Sequence, residues 1–288
     1  KNIFCVYTML DESPFLGKCC FPLNCEKYNQ DCGNCPQKGE YPKSLFFDRS
    51  RKILRDKEKL YNGFDNVVFT GIPYTVERAK NSKLLRGKRF EVAVEGIDTK
   101  RTFFPRNTEN LRRELSIPPE NKVILNVAQF SHVRKGSQYY LEAARKLEKH
   151  ADISFVHVGF DTNKSICPKN FIPVSYVKDQ DELAAYYSLA DLFVCTSFAD
   201  TLPNTCLEAM ACGARICGFN ISGIPYCAPA PIGTYVEPKN VDALCEVILN
   251  TPVRNEASVK ENRLFATENY EAENYYKTLI QVGRGLKQ

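Results

Sequence analysis

The stretch Val123-Ile124-Leu125-Asn126-Val127-Ala128 decides the fold. It is a short, nearly unbroken apolar run, as expected of a strand buried on both faces in a parallel sheet. Downstream, Tyr139-Tyr140-Leu141-Glu142-Ala143-Ala144-Arg145-Lys146-Leu147 sets Tyr140, Leu141, Ala144 and Leu147 on one face at helical spacing. The alternation continues with a strand from Ile153 to Val158, an extended piece from Ile172 to Val177 and a helix from Asp181 to Leu189. A strand from Leu192 to Thr196, a helix from Asn204 to Cys212, a strand from Arg215 to Phe219 and a helix from Val241 to Leu249 follow. Short apolar runs alternating with helices predict βα units around a parallel sheet, a doubly wound half in itself.

Before Glu95 the pattern is less regular. Candidate strands lie at Ile3 to Tyr7, Asn66 to Thr70 and Phe90 to Val94, with a helix from Ser50 to Leu60, as in part of a second α/β unit. Arg101-Thr102-Phe103-Phe104-Pro105-Arg106-Asn107 has a proline and no period, and is read as a linker. The stretch from Glu256 to Leu286 is helical in composition. The expected organisation is therefore a partial N-terminal domain over 1–104, a complete domain over 105–270 and a C-terminal helix over 271–288 that packs back toward the N-terminal part. Position 1 is Lys rather than Met, which suggests a fragment or a processed chain.

The 288 residues are 43% hydrophobic and 25% charged, the balance of an ordinary globular protein with a core to bury. A net charge of +5 suits an anionic ligand or membrane surface and is too small to argue for nucleic acid. No run approaches the roughly 18 apolar residues of a membrane span, and the first residues lack a secretory pattern. The expected compartment is the cytoplasm, with a peripheral place at the inner face of the membrane as an option. Arg78-Ala79-Lys80-Asn81-Ser82-Lys83-Leu84-Leu85-Arg86-Gly87-Lys88-Arg89 could touch anionic lipid or could be a solvated helix and turn.

The 13 cysteines form two populations. Cys167, Cys195, Cys206, Cys212, Cys217, Cys227 and Cys245 mostly sit in apolar runs, where a thiol behaves as a small buried hydrophobe. Cys19, Cys25, Cys32 and Cys35 are interleaved with Gly, Asn, Pro and charged residues in a loop-rich segment. Four thiolates at this spacing could bind a tetrahedral structural zinc. Disulfides and free thiols are the alternatives.

Ligands of open α/β sheets sit beyond the carboxyl ends of strands, so residues that follow strands carry the chemistry. Arg134-Lys135-Gly136 joins two cations and a glycine ahead of a helix, either an anion site or a solvated turn. Asp200-Thr201-Leu202-Pro203-Asn204-Thr205-Cys206-Leu207-Glu208 follows another strand, with Pro203 well placed at a helix start. Its two carboxylates could accept hydrogen bonds from sugar hydroxyls, or Asp200 could only cap locally and Glu208 lie on a helix surface.

The run from Ser197 to Gly213 resembles the acid-x7-acid segment of retaining glycosyltransferase family 4, in its Asp-x-Leu-Pro-Asn subgroup. Arg134-Lys135-Gly136, the passage from Ala185 to Val194 and Gly218-Phe219-Asn220-Ile221-Ser222-Gly223-Ile224-Pro225 agree with it in order and spacing. The resemblance covers most of positions 95 to 250. It implies a GT-B-like α/β fold with one complete Rossmann-like donor domain and a partial Rossmann-like acceptor domain. It also implies a retaining hexosyltransferase of cell-surface polysaccharide synthesis, using a nucleoside diphosphate sugar of UDP or GDP type and a glycan or lipid-linked acceptor. Lys135, helped by Arg134 beside Gly136, would neutralise the donor diphosphate, Asp200 would touch the donor sugar and Glu208 would accept the ribose hydroxyls. The backbone of Leu202, Pro203, Asn204 and Thr205 would lie along sugar and phosphate, and Tyr176 and Val177 would border the base. The family's chemistry needs no metal cofactor, so Asp179-Gln180-Asp181 is better read through Asp179 and Glu182 as a capping box.

The sequence departs from that pattern in places. Asp200 stands where many members carry Glu, Gln129 where Arg is frequent, Leu10 in place of a His and Glu95 in place of an Asn. About three strands of the acceptor domain are not found. The alternative expectation is a truncated or degenerate nucleotide-sugar-binding protein without transferase activity.

Overall fold

The computed structural model describes residues 3–40, 42–44, 46–63 and 65–285, so Leu286, the end of the expected helical stretch, lies outside the described residues. The chain divides into two compact units, residues 1–95 with 273–288, and residues 96–272.

The first unit has a parallel sheet of three strands in the order β1 (Cys5–Thr8), β2 (Val67–Gly71), β3 (Arg89–Val92). Between β1 and β2 lies α1 (Ser50–Asn62), and α2 (Pro73–Asn81) joins β2 to β3. α2 begins on Pro73, whose missing amide costs nothing in a first helical turn. The basic segment spans the end of α2 and the turn after it, and its cations meet the unit's own groups. Arg78 Nε contacts Glu12 Oε1 at 2.5 Å, Lys83 Nζ contacts Glu58 Oε2 at 3.5 Å and Lys88 Nζ donates to Tyr61 O at 2.8 Å.

The second unit opens with α3 (Glu109–Glu114) and continues with β4 (Lys122–Val127), α4 (Ser137–Lys146), β5 (Ile153–Val158), β6 (Phe171–Val174) and α5 (Gln180–Leu189). Then come β7 (Leu192–Cys195), α6 (Asn204–Ala211), β8 (Arg215–Phe219), β9 (Gly233–Val236), α7 (Val241–Asn250) and α8 (Glu256–Tyr270). Its six parallel strands lie in the order β6-β5-β4-β7-β8-β9. Chain order therefore runs outward one way from β4, then returns to β4's other side at β7, which is the doubly wound arrangement. The strand at 233–236 was not foreseen, because four residues of mixed polarity give no periodic signal.

The core between the sheet and its helices holds Ile124, Tyr140, Phe155, Phe171, Phe219 and Ile248. Tyr140 is wholly buried, and its hydroxyl lies 2.7 Å from Ile124 O and 2.9 Å from Val156 O, so burial leaves no orphaned polar atom there. Of the seven later cysteines, Cys195, Cys206, Cys212, Cys217, Cys227 and Cys245 are buried and Cys167 is partly exposed.

The helical stretch after Glu256 is two helices, α8 and α9 (Ala272–Gly285), broken at Glu271. The break has a long-range cause. Ile97 bridges to Glu271, the Thr99 hydroxyl donates to the Glu271 carboxylate, and the Ile97 carbonyl accepts from the Ala272 amide at 3.0 Å. Arg263 also reaches Phe103 O, at 3.4 Å. These bonds hold 97–103 against α8, so the passage between units lies at Glu95 to Gly96 rather than near 104. Among the described residues no helix is long and apolar enough to cross a membrane.

His157 on β5 is buried with Nε2 3.1 Å from Ala128 O. Burial holds its pKa at about 4, below the 6.5 of an ordinary imidazole. Between those values the unfolded chain binds a proton that the folded one does not, so this residue's share of stability is lost as pH falls from about 6.5 towards 4. Urea unfolding of wild type and His157→Gln across that range should show a steeper loss for wild type, and parallel curves would refute the assignment.

Candidate functional site

The order β5-β4-β7-β8 places the loops that follow β4 and β7 side by side at the carboxyl ends of the strands. β4 and β7 are in register through Ile124 with Leu192 and Leu125 with Phe193, so their ends are level. The loop after β4 carries Arg134, Lys135 and Gly136, and the loop after β7 carries Ser197 to Pro203.

Backbone bonds join the two loops. The Phe198 amide donates to Arg134 O at 2.8 Å, and the Thr196 hydroxyl donates to Lys135 O at 3.0 Å. Gly136, with φ of +62°, turns the chain into α4, and a Cβ there would stand 2.2 Å from Thr196 O. Only glycine permits both the left-handed turn and that approach.

Side chains complete the junction. Arg134 Nη1 lies 3.1 Å from Asp200 Oδ1 and Lys135 Nζ lies 3.0 Å from Asp200 Oδ2, so one carboxylate holds both cations. Arg134 also donates to the Ala199 carbonyl. The Asp200 carbonyl is fixed in turn by the Gly223 amide at 2.8 Å and the Ser222 hydroxyl at 2.9 Å, which ties in the loop after β8. All three charged groups are half-buried, where an ion pair is screened less than on an open surface.

Beyond Asp200, Leu202 is buried, Pro203 is extended (φ −65°, ψ 112°) and α6 starts at Asn204. Asn204 is exposed and Thr205 half-buried. The proline is thus the cap rather than the first helical residue, and the amides of the first turn lie at the carboxyl end of the sheet.

Glu208, one turn inside α6, meets neither cation. Its Oε2 accepts a hydrogen bond of 2.6 Å from the hydroxyl of Tyr187 on α5, and burial raises its pKa above that of an ordinary glutamate. Tyr187 is fully buried, edge-on to Phe103 and Phe193. Sequence reading gave Tyr187 no role, since a tyrosine in an apolar helix reads as core, and only its hydroxyl's partner distinguishes it.

Tyr176 and Val177 follow β6, two strands from β4, with Tyr176 81% exposed. Gln129 donates to Asp161 at 3.1 Å, and Ser131 donates to the same carboxylate through its amide at 2.9 Å and its hydroxyl at 2.6 Å. Asp179 caps α5, accepting from the Glu182 amide at 2.8 Å, and Asp181 pairs with Arg106 Nη2 at 2.6 Å. Cys19, Cys25, Cys32 and Cys35 lie in the other unit and line one small cavity there.

Residues 121–251 match the family model described as glycosyl transferases group 1. An N-acetyl-alpha-D-glucosaminyl L-malate synthase of Bacillus anthracis is 24% identical over 196 residues, 66% of this chain and 49% of its own length. An N,N'-diacetylbacillosaminyl-diphospho-undecaprenol alpha-1,3-N-acetylgalactosaminyltransferase of Campylobacter jejuni is 27% identical over 179 residues, 60% of this chain and 47% of its own. The chain thus spans about half the length of these curated relatives. Among solved structures, WaaG, a glycosyltransferase involved in lipopolysaccharide biosynthesis, superposes with a TM-score of 0.66 at 19% identity, over 87% of this chain and 72% of WaaG. Anabaena Alr3699/HepE in complex with UDP gives 0.66 at 14% identity, over 82% and 68%. The fold is the GT-B glycosyltransferase fold, and the segment holding the site is related to the group 1 glycosyltransferases.

Replacing Gly136 by Ala should lower unfolding free energy by about 1–3 kcal/mol, because the new Cβ meets backbone at a positive φ. Chemical denaturation measures this, and a variant as stable as wild type would contradict the packing of the two loops.

Proposed function

We propose that the chain is the donor-binding part, with a portion of the acceptor side, of a retaining hexosyltransferase that uses a nucleoside diphosphate sugar of UDP or GDP type. The observation that carries this reading is the meeting of Arg134, Lys135 and Asp200 at the point where the strand order reverses. Two fixed cations and the N-terminal turn of α6 at the same end of the sheet suit a diphosphate, and a neighbouring carboxylate suits sugar hydroxyls. The UDP in the Alr3699/HepE structure and the lipid-linked sugar named for the Campylobacter relative support the donor class and a glycan or lipid-linked acceptor.

In the proposed reaction the bond from the sugar's anomeric carbon to the phosphate oxygen breaks and a bond to the acceptor oxygen forms on the same face. The acceptor's proton passes to the departing phosphate. Arg134 and Lys135 stabilise the charge that develops on the leaving diphosphate, which accelerates transfer because the charge grows in the transition state. Asp200 exchanges part of its hold on the cations for a hydroxyl of the donor sugar. Glu208 accepts the ribose hydroxyls through Oε1 while the Tyr187 hydroxyl keeps Oε2 oriented. The backbone of Leu202 to Thr205 lines sugar and phosphate, and exposed Tyr176 with Val177 borders the base.

Thermal unfolding of the chain with UDP, GDP, ADP or CMP and the corresponding sugar conjugates tests the reading, since a ligand bound only to the native state raises its stability. Selective stabilisation by one diphosphate is expected, and no shift with any of them would overturn the donor site. In a chain that transfers sugar, Lys135→Ala should reduce turnover by on the order of 100-fold or more, and unchanged turnover would remove Lys135 from leaving-group stabilisation. Glu208→Ala should mainly weaken nucleotide binding, so an unchanged Kd by calorimetry would count against the ribose contact.

A further inference from the structure

Between β1 and α1 the described chain has no regular structure beyond two single 3-10 turns, Ser13–Phe15 and Lys27–Asn29. This loop still supplies Phe15, Leu16, Cys19, Tyr28 and Cys32 to the core of the first unit. Cations gather its backbone. Lys18 Nζ donates to the carbonyls of Gln37, Lys38 and Glu40 at 3.0, 3.0 and 3.3 Å. Lys57 Nζ donates to those of Ser13, Leu16 and Gly17 at 2.6, 2.8 and 3.2 Å. Lys27 Nζ reaches Gly33 O and Asn34 O at 3.1 and 2.8 Å, and Arg51 Nε reaches Cys32 O at 2.9 Å.

Within this cage lies the small cavity lined by Cys19, Cys25, Cys32 and Cys35, beside Lys18 and Lys27. Gly33 (φ +141°) and Asn34 (φ +47°) reverse the chain between the last two cysteines, so both line the same space. All four are free thiols.

We propose that Cys19, Cys25, Cys32 and Cys35 are the four ligands of a structural zinc ion that staples this loop to the first unit. The ligand type and number are those of a closed tetrahedral site, with Zn–S bonds of about 2.3 Å. As placed, no three described His, Cys, Asp or Glu side chains are gathered at ligating geometry. Binding therefore requires the four thiols to draw together about the cavity they already line. Loading converts one Zn²⁺ and four thiols into a tetrathiolate complex of net charge −2, with four protons released to solvent. Lys18 and Lys27 at the cavity, and Lys57 of α1, which donates to the adjoining turn, offset that charge.

Cys19 and Cys32 are buried and Cys25 and Cys35 partly exposed around that one cavity, and a thiol coordinated there gives up its proton outright. The site is independent of the proposed donor chemistry, which belongs to the other unit.

Metal analysis of the full chain, purified without chelator or metal-affinity resin, tests the assignment. About one zinc per chain is expected, and Co²⁺ exchanged for it should give the absorption of a tetrahedral thiolate site. The Cys32→Ser/Cys35→Ser double variant should lose the metal, whereas Cys167→Ser should keep it. A wild-type chain that holds no zinc and takes up none after reduction would overturn the proposal. So would mass-spectrometric disulfides among the four cysteines of the freshly purified chain, or zinc retained by the double variant. The wild-type measurement decides even if the double variant fails to fold.

Discussion

One carboxylate organises the site. Asp200 holds Arg134 at 3.1 Å and Lys135 at 3.0 Å, and its own backbone is fixed by Ser222 and Gly223, so loops after β4, β7 and β8 converge on it. The sheet order makes this possible. Because β4 and β7 are neighbours although α4, β5, β6 and α5 lie between them in the chain, a parallel sheet brings their carboxyl ends level. Without Gly136 the two loops could not approach, since Thr196 O occupies the space of its missing Cβ. Strand order, one glycine and one ion-pair cluster are therefore a single constraint.

Much of the second unit was legible because its strands are buried runs and its helices carry one apolar face, patterns that survive in a linear sequence. β4, β5, α4 and α7 are of this kind, with bounds within a few residues of those expected. The misses have physical causes. β9 is four residues long and lies at the sheet edge beside β8, so its strand character comes from a neighbour rather than from its composition. The interruption at Glu271 carries no Gly or Pro and depends on Ile97 and Thr99, more than 170 residues earlier in the chain. The basic segment was read as a solvated helix and turn or a lipid contact, whereas α2 starts earlier, at Pro73, and buries Val76 and Ala79.

The site was readable as residue types and not as partnerships. Lysine and arginine before a helix, and an aspartate after a strand, were visible as candidate ligands, yet nothing in their spacing pairs them. Pairing needs the crossover, which is a property of the sheet. Tyr187 makes the same point from the other side. Its ring obeys the rule for buried aromatics, while its hydroxyl, 2.6 Å from Glu208, satisfies a polar group that the core would otherwise leave costly.

The ion-pair cluster also bears on how a charged ligand would be admitted. Asp200 shares one carboxylate between Arg134 and Lys135, and all three side chains keep some solvent exposure, so the cations are restrained without being held beyond reach of a competitor. On the proposed donor reading, a diphosphate brings more charge and more acceptor oxygens than one carboxylate, and would take both cations while Asp200 turned to a neutral hydroxyl. Held in advance by the Arg134 and Lys135 backbone bonds to the β7 loop, the cations would need little reordering on binding. In that view the carboxylate keeps the positive pair in place when no anion is bound, and its release becomes part of recognising the sugar that arrives with the phosphate.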